Sequence, residues 1–170
     1  PSALVIGGGL AGMTAALSLA DQEFEVVLIE KEKQLGGNLR NLRSTFTEPN
    51  VQAYLEQLKE HVQKHKKITL YTSTKVENIE GFVGNFESTL KTGSKEKKVK
   101  HGVIIVATGG NEHTPDEYLF GKDKRIVTQL QLEDMLSGTE SLSSLKNVVM
   151  IQCVGSREQE YMYCSKVCCG

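Results

Sequence analysis

Residues 3–20 read ALVIGGGLAGMTAALSLA, and the run of glycines inside them constrains the fold more than any other feature. Ala3 to Ile6 form a short apolar run of the kind found in strands buried on both faces. Met13, Ala16, Leu17 and Ala20 then recur at helical spacing. Between them, Gly7-Gly8-Gly9-Leu10-Ala11-Gly12 fits G-x-G-x-x-G. Each glycine has a separate reason to be there. Gly7 permits a tight turn, Gly9 lets backbone approach a pyrophosphate, and Gly12 lets helix and strand pack closely. The helix N-terminus, with Leu10 and Ala11 in its first turn, then faces phosphate charge. EVVLIE (25–30) reads as a second strand, and Glu30 stands at its end, where a carboxylate accepts bonds from an adenosine ribose. Strand, glycine turn, helix, strand and acid together predict a dinucleotide site. A carboxylate at Glu30 disfavours a 2′-phosphate there by charge repulsion.

The remaining pattern is mixed. Pro49 can open a helix in which Val51, Leu55, Leu58 and Val62 face a core, closed by the basic run KHKK (64–67). ITLYTS (68–73) reads as a third strand. Residues 75–100 alternate, which predicts an antiparallel meander turning at Gly84 and at Gly93-Ser94. GVIIVATGG (102–110) reads as a buried strand ended by glycines, QLQLEDMLSG (129–138) as a short helix, and KNVVMIQCVGS (146–156) as a strand entering a turn.

The order of these parts resembles the FAD domains of the two-dinucleotide-domain flavoprotein reductases, the glutathione reductase and thioredoxin reductase group. The likeness covers roughly residues 3–152. The fold class it implies is α/β: a Rossmann-like FAD-binding domain with a parallel sheet, a small antiparallel β-meander, and the truncated start of a second nucleotide-domain-like unit. The boundaries expected are 1–145 and 146–170. The resemblance implies a cofactor site lined by Glu30 and Lys31, by Gly36, Gly37 and Asn38, by the backbone of Val76 against adenine, and by Ala107, Thr108 and Gly109. In that group a second glycine fingerprint, for the nicotinamide nucleotide, would follow. Here the turn reads Cys153-Val154-Gly155-Ser156-Arg157, with one glycine only. NAD(P) is not expected there.

CVGSREQEYMYCSKVCC (153–169), with the start and the VTQLQLEDML stretch, is similar to the A subunit of heterodisulfide reductase and its relatives. That likeness implies a cytoplasmic, FAD-containing member of a larger electron-transfer complex, working with other subunits and iron–sulfur clusters. The family's ferredoxin-type motifs, C-x₂-C-x₂-C-x₃-C, do not occur in these residues. The strand pattern starting at Ala3 and the cysteine pair before the last residue both look like cuts. The chain is therefore expected to be a fragment with weakened FAD affinity and little activity.

Cys164, Cys168 and Cys169 leave three readings open: ligands or neighbours of a cluster completed elsewhere, a thiol–disulfide pair, or small buried hydrophobes. Cys164 and Cys168, four apart, would share a helix face. The alternative functions are an NAD(P)H-dependent disulfide reductase, with the cysteines as its dithiol, and a non-catalytic scaffold on a vestigial dinucleotide fold. His61 and His65 are also four apart, but lysines surround His65 and the apolar stripe lies elsewhere, so a solvated face is expected. No general acid or base stands out, which suits redox chemistry carried by a flavin.

Composition bounds the partners. The net charge is −1, so no global field draws the chain to nucleic acid. No apolar run is long enough to span a bilayer. Cys153 is the first of the four cysteines, which argues against a secreted disulfide framework.

Overall fold

The computed structural model describes residues 2–45, 47–138 and 145–164. They belong to two compact units, residues 1–110 and 111–170.

The first unit is built on strand alternation. β1 (Ser2–Ile6), β2 (Glu25–Ile29), β3 (Ile68–Tyr71) and, later in the chain, the strand Val103–Val106 form one parallel sheet. Successive side chains point to opposite faces. Val5, Val26 and Leu28 meet Met13, Ala16 and Ala20 of α1 (Leu10–Ala20) and Leu55, Leu58 and Val62 of α2 (Val51–Lys64). Leu4 and Ile29 point the other way and pack with Leu90, flanked by Ile6, Val27, Tyr71, Val76 and Val99. Both faces are covered at β1 and β2, which are correspondingly apolar. The strand Val103–Val106, expected to be buried, leaves Val103 and Val106 exposed because it lies at the edge of the sheet.

The second cover is the meander: β4 (Thr74–Phe82), β5 (Asn85–Thr92) and β6 (Lys95–His101) pair antiparallel in sequence order. Its turns fall where expected, and Gly84 and Gly93 both have positive φ. β7 (Val103–Val106) then returns beside β1, giving the order β3-β2-β1-β7. The three-layer arrangement of helices, parallel sheet and antiparallel sheet is the fold the sequence implies.

Two details differ. α2 is capped by Asn50, whose Oδ1 accepts the Ala53 N–H at 3.0 Å. Pro49 lies one residue before that cap, because asparagine satisfies a free helix amide and proline cannot. The loop 31–48 also contains a 3-10 turn, Gly37–Asn41, which sequence periodicity does not show.

In the second unit, α3 (Gln129–Ser137) begins with a capping box between Thr128 and Gln131 and stops before Gly138. The strand expected over 146–156 does not form: residues 145–153 carry no regular structure. Val148, Val149, Met150 and Ile151 are all exposed. A strand is made by its neighbours' hydrogen bonds, and among the described residues none pairs with this run.

Candidate functional site

The glycine turn leaves β1 at Ile6. The Gly7 N–H donates to the Ile29 carbonyl at 2.9 Å. Gly7 has φ +113°, and a Cβ there would lie 2.2 Å from the Ala107 carbonyl oxygen. A Cβ on Gly12 would lie 1.8 Å from the Gly7 carbonyl oxygen. Gly9 is different: a Cβ on it would meet nothing within 4 Å. So Gly7 and Gly12 are required by packing, whereas the space over Gly9 is open. Gly9 is the N-cap of α1, no side chain caps this helix, and no acid lies in its first turn. The amides of Leu10, Ala11 and Gly12 precede the first i→i−4 bond, which runs from Met13 N–H to Gly9 O at 3.0 Å. They present positive charge outward.

The other site residues converge on this turn. Glu30 is buried, its Oε2 accepting the Gly8 N–H at 2.7 Å and its Oε1 the Glu32 N–H at 2.8 Å. Gly36 N–H donates to Gly8 O at 2.8 Å, and Gly9 and Gly36 form a parallel bridge. Asn38 Nδ2 donates to Gly110 O at 3.3 Å, tying the second glycine pair to the Ala107-Thr108-Gly109 turn. Ala107 N–H donates to Ile6 O at 2.8 Å. Gly37 lies against Gly9, and Thr108 against Gly7. Lys31 is exposed beside Glu30. Val76 lies in the second apolar cluster, paired with Leu90; its strand is tied to the acid through Thr74 N–H to Glu30 O at 2.9 Å.

Sequence reasoning missed Leu35, whose side chain would lie 2.3 Å from a Cβ on Gly8 and closes the loop from behind. An apolar residue just before a glycine pair, in a polar loop, was the available signal. Cys164 is exposed and Cys153 half-buried, at a turn where its φ is +63°. Cys168 and Cys169 lie outside the described residues. Among the described residues no three His, Cys, Asp or Glu side chains gather as a metal site would require. His65 is engaged otherwise: its Nε2 is 3.3 Å from Asp21 Oδ1 and its Nδ1 accepts the Lys67 N–H.

The family model for pyridine nucleotide-disulphide oxidoreductases matches residues 1–151. The chain belongs to that family. Within it, two curated relatives bear out the likeness seen in the sequence. The chain is 28% identical to the CoB–CoM heterodisulfide reductase iron-sulfur A subunit 1 of Methanopyrus kandleri, over 99% of this chain and 40% of the relative. It is 29% identical to the CoB–CoM heterodisulfide reductase iron-sulfur A subunit of Methanocaldococcus jannaschii, with the same coverage. The chain thus spans about 40% of the length of these oxidoreductase subunits. The first match runs over 265 positions against 170 residues here, so that relative carries internal stretches this chain lacks. Among solved oxidoreductases, thioredoxin reductase of Lactococcus lactis superposes with a TM-score of 0.54 at 26% identity, over 71% of this chain and 40% of its own. No helix among the described residues is long and apolar enough to cross a membrane.

This member of the oxidoreductase family also buries a polar pair away from the glycine turn. His101 Nδ1 lies 3.1 Å from the Val103 carbonyl and must carry the proton, so Nε2 accepts from the Ser88 hydroxyl at 2.8 Å. His101 stacks on Phe86 and lines a cleft of about 570 Å3 near the amino ends of β1 and β7. Burial pushes the imidazole pKa below 6.5, only partly opposed by the bond to Val103. The unfolded chain therefore takes up this proton first. Its contribution to stability is complete above pH 6.5 and is lost as pH falls through the lowered folded-state value. The expected result is a denaturation midpoint that falls on acidification below that pH, with a shallower fall in His101→Gln. Equal slopes in the two proteins would show that His101 does not contribute.

Proposed function

We propose that this chain is the FAD-binding part of an electron-transfer oxidoreductase resembling the A subunit of heterodisulfide reductase. The observation that carries the reading is the turn over Gly9: open space, an uncapped helix N-terminus, and a buried carboxylate at the next strand end. A pyrophosphate fits this donor set, and a side chain at Gly9 would fill its approach. Gly7, Gly9, Leu10, Ala11 and Gly12 would hold the pyrophosphate, and Glu30 with Lys31 the adenosine ribose. Gly36, Gly37, Asn38, Val76, Ala107, Thr108 and Gly109 would line the rest. FAD supplies the redox chemistry when bound, exchanging one or two electrons. The protein's residues bind and orient it. Residues 1–145 would form the FAD-binding part and 146–170 the start of a second nucleotide-domain-like unit. The whole protein would work with other subunits in a larger cytoplasmic complex, and the names of the relatives support electron passage to iron–sulfur centres there. Cys164, Cys168 and Cys169 are the candidate cluster ligands.

A second reading, an NAD(P)H-dependent disulfide reductase, draws on the family match and the thioredoxin reductase likeness. The single glycine of the 153–157 turn argues against it.

The test is binding of FAD, FMN, NADH and NADPH to the purified chain, followed by iron and sulfide analysis after anaerobic reconstitution. Saturable FAD binding, weaker FMN binding, and cluster absorption that falls in Cys164→Ala, Cys168→Ala or Cys169→Ala support the first reading. Saturable NADH or NADPH oxidation that depends on those cysteines, without cluster absorption, supports the second.

A further inference from the structure

We infer that Lys97, on the meander, is a positioning residue for the adenosine end of the dinucleotide, acting through Tyr71 on Glu30; this rests on the binding reading above. Val76, Leu90 and Lys97 are directly paired across β4, β5 and β6. Directly opposed residues of an antiparallel pair share a face, so Lys97 lies on the face that Leu90 turns to the parallel sheet. There its ammonium sits 4.9 Å from the centre of the Tyr71 ring and donates to the Tyr71 hydroxyl. The hydroxyl is the contact: an ammonium this close to the phenol oxygen lies beyond the ring's edge, so one charge-assisted hydrogen bond holds it.

Tyr71 ends β3, in register with Ile29. Its carbonyl accepts the Glu30 N–H at 2.9 Å, and just past the strand the Thr74 N–H donates back to the Glu30 carbonyl at 2.9 Å. The segment that leads from the parallel sheet into the meander thus engages both the N–H and the C=O of the acid. Lys97 ties the Tyr71 side chain of that segment to β6. Without it, β3 and the meander still pair within their own sheets, but the polar link between Tyr71 and β6 is lost. Glu30 then keeps its bonds to Gly8 and Glu32 while its register toward a ribose loosens.

Lys97 is solvent-exposed, so an exposed hydrogen bond sets the scale, and the expected effect is about two- to five-fold in affinity. The experiment measures binding of ADP and of 2′-deoxy-ADP, with thermal midpoints, for wild type, Lys97→Met and Lys97→Arg. A carboxylate that meets the ribose makes ADP the tighter ligand in wild type. Lys97→Met is expected to shrink that preference with little change in midpoint, and Lys97→Arg, which keeps cation and donor, to restore it. A Lys97→Met protein that keeps the wild-type preference overturns the inference, whether or not its midpoint falls. Wild type that binds neither nucleotide overturns the dinucleotide reading itself.

Discussion

Gly12→Ala is expected to lower the thermal midpoint by roughly 6–12 °C, whereas Gly9→Ala is expected to leave it nearly unchanged and to weaken FAD binding about tenfold or more. The two substitutions add the same methyl group to the same turn, with different consequences. On Gly12 that methyl would lie 1.8 Å from the Gly7 carbonyl oxygen, a backbone atom that cannot turn aside. Relief requires α1 to move off β1, which breaks the seat of Met13 and Ala16 on the sheet. Overpacking that only backbone movement can relieve costs about 3 kcal/mol, the upper end of the usual range. On Gly9 the methyl meets nothing within 4 Å, and φ is −78°, which alanine adopts freely. The cap changes by about 1 kcal/mol or less. What the methyl fills is the approach of a ligand to the Leu10, Ala11 and Gly12 amides. Thermal denaturation and FAD titration on both variants check this. A Gly9→Ala protein with wild-type affinity would remove the turn from the site.

Glu30→Ala is expected to be costly to both fold and binding. The carboxylate is buried and accepts two backbone N–H groups, from Gly8 and Glu32. Removing it orphans both, at about 1–3 kcal/mol each if they stay buried. The Gly8 amide belongs to the glycine turn itself, so the acid holds the turn in shape as well as standing where a ribose would lie. Glu30→Gln keeps one oxygen acceptor but turns an amide NH2 toward the other N–H. It is expected to fall between wild type and alanine in stability, and to lose FAD affinity about tenfold. Chemical denaturation and nucleotide titration measure the two effects separately. Full stability in Glu30→Ala would show that water replaces both bonds.

Much of the fold is legible in the sequence because its causes are local. The strand-turn-helix at residues 3–20 follows from apolar runs and from glycines that a tight turn, a close ligand approach and helix–strand packing each demand. The meander's turns follow from Gly84 and Gly93, both at positive φ. The α2 stripe of Val51, Leu55, Leu58 and Val62 is buried throughout. The run at 147–152 shows where local causes stop being sufficient. Val148 to Ile151 have the composition of a buried strand, but pairing is supplied by other strands, and composition does not say whether they are present.

The dinucleotide-type turn, the order of strands and helices, and the acid at the end of the second strand are all written in the chain of residues. What those residues touch is a property of the folded molecule. Folding places Gly36 on Gly8, Asn38 on Gly110, Leu35 behind the turn, and Lys97 against the Tyr71 hydroxyl. It also gives Glu30 a second task, bracing the Gly8 amide across 22 residues of chain. The reason is physical: propensity and periodicity are set within a few residues, whereas these contacts join segments far apart in sequence and exist only once the sheet has chosen the order β3-β2-β1-β7.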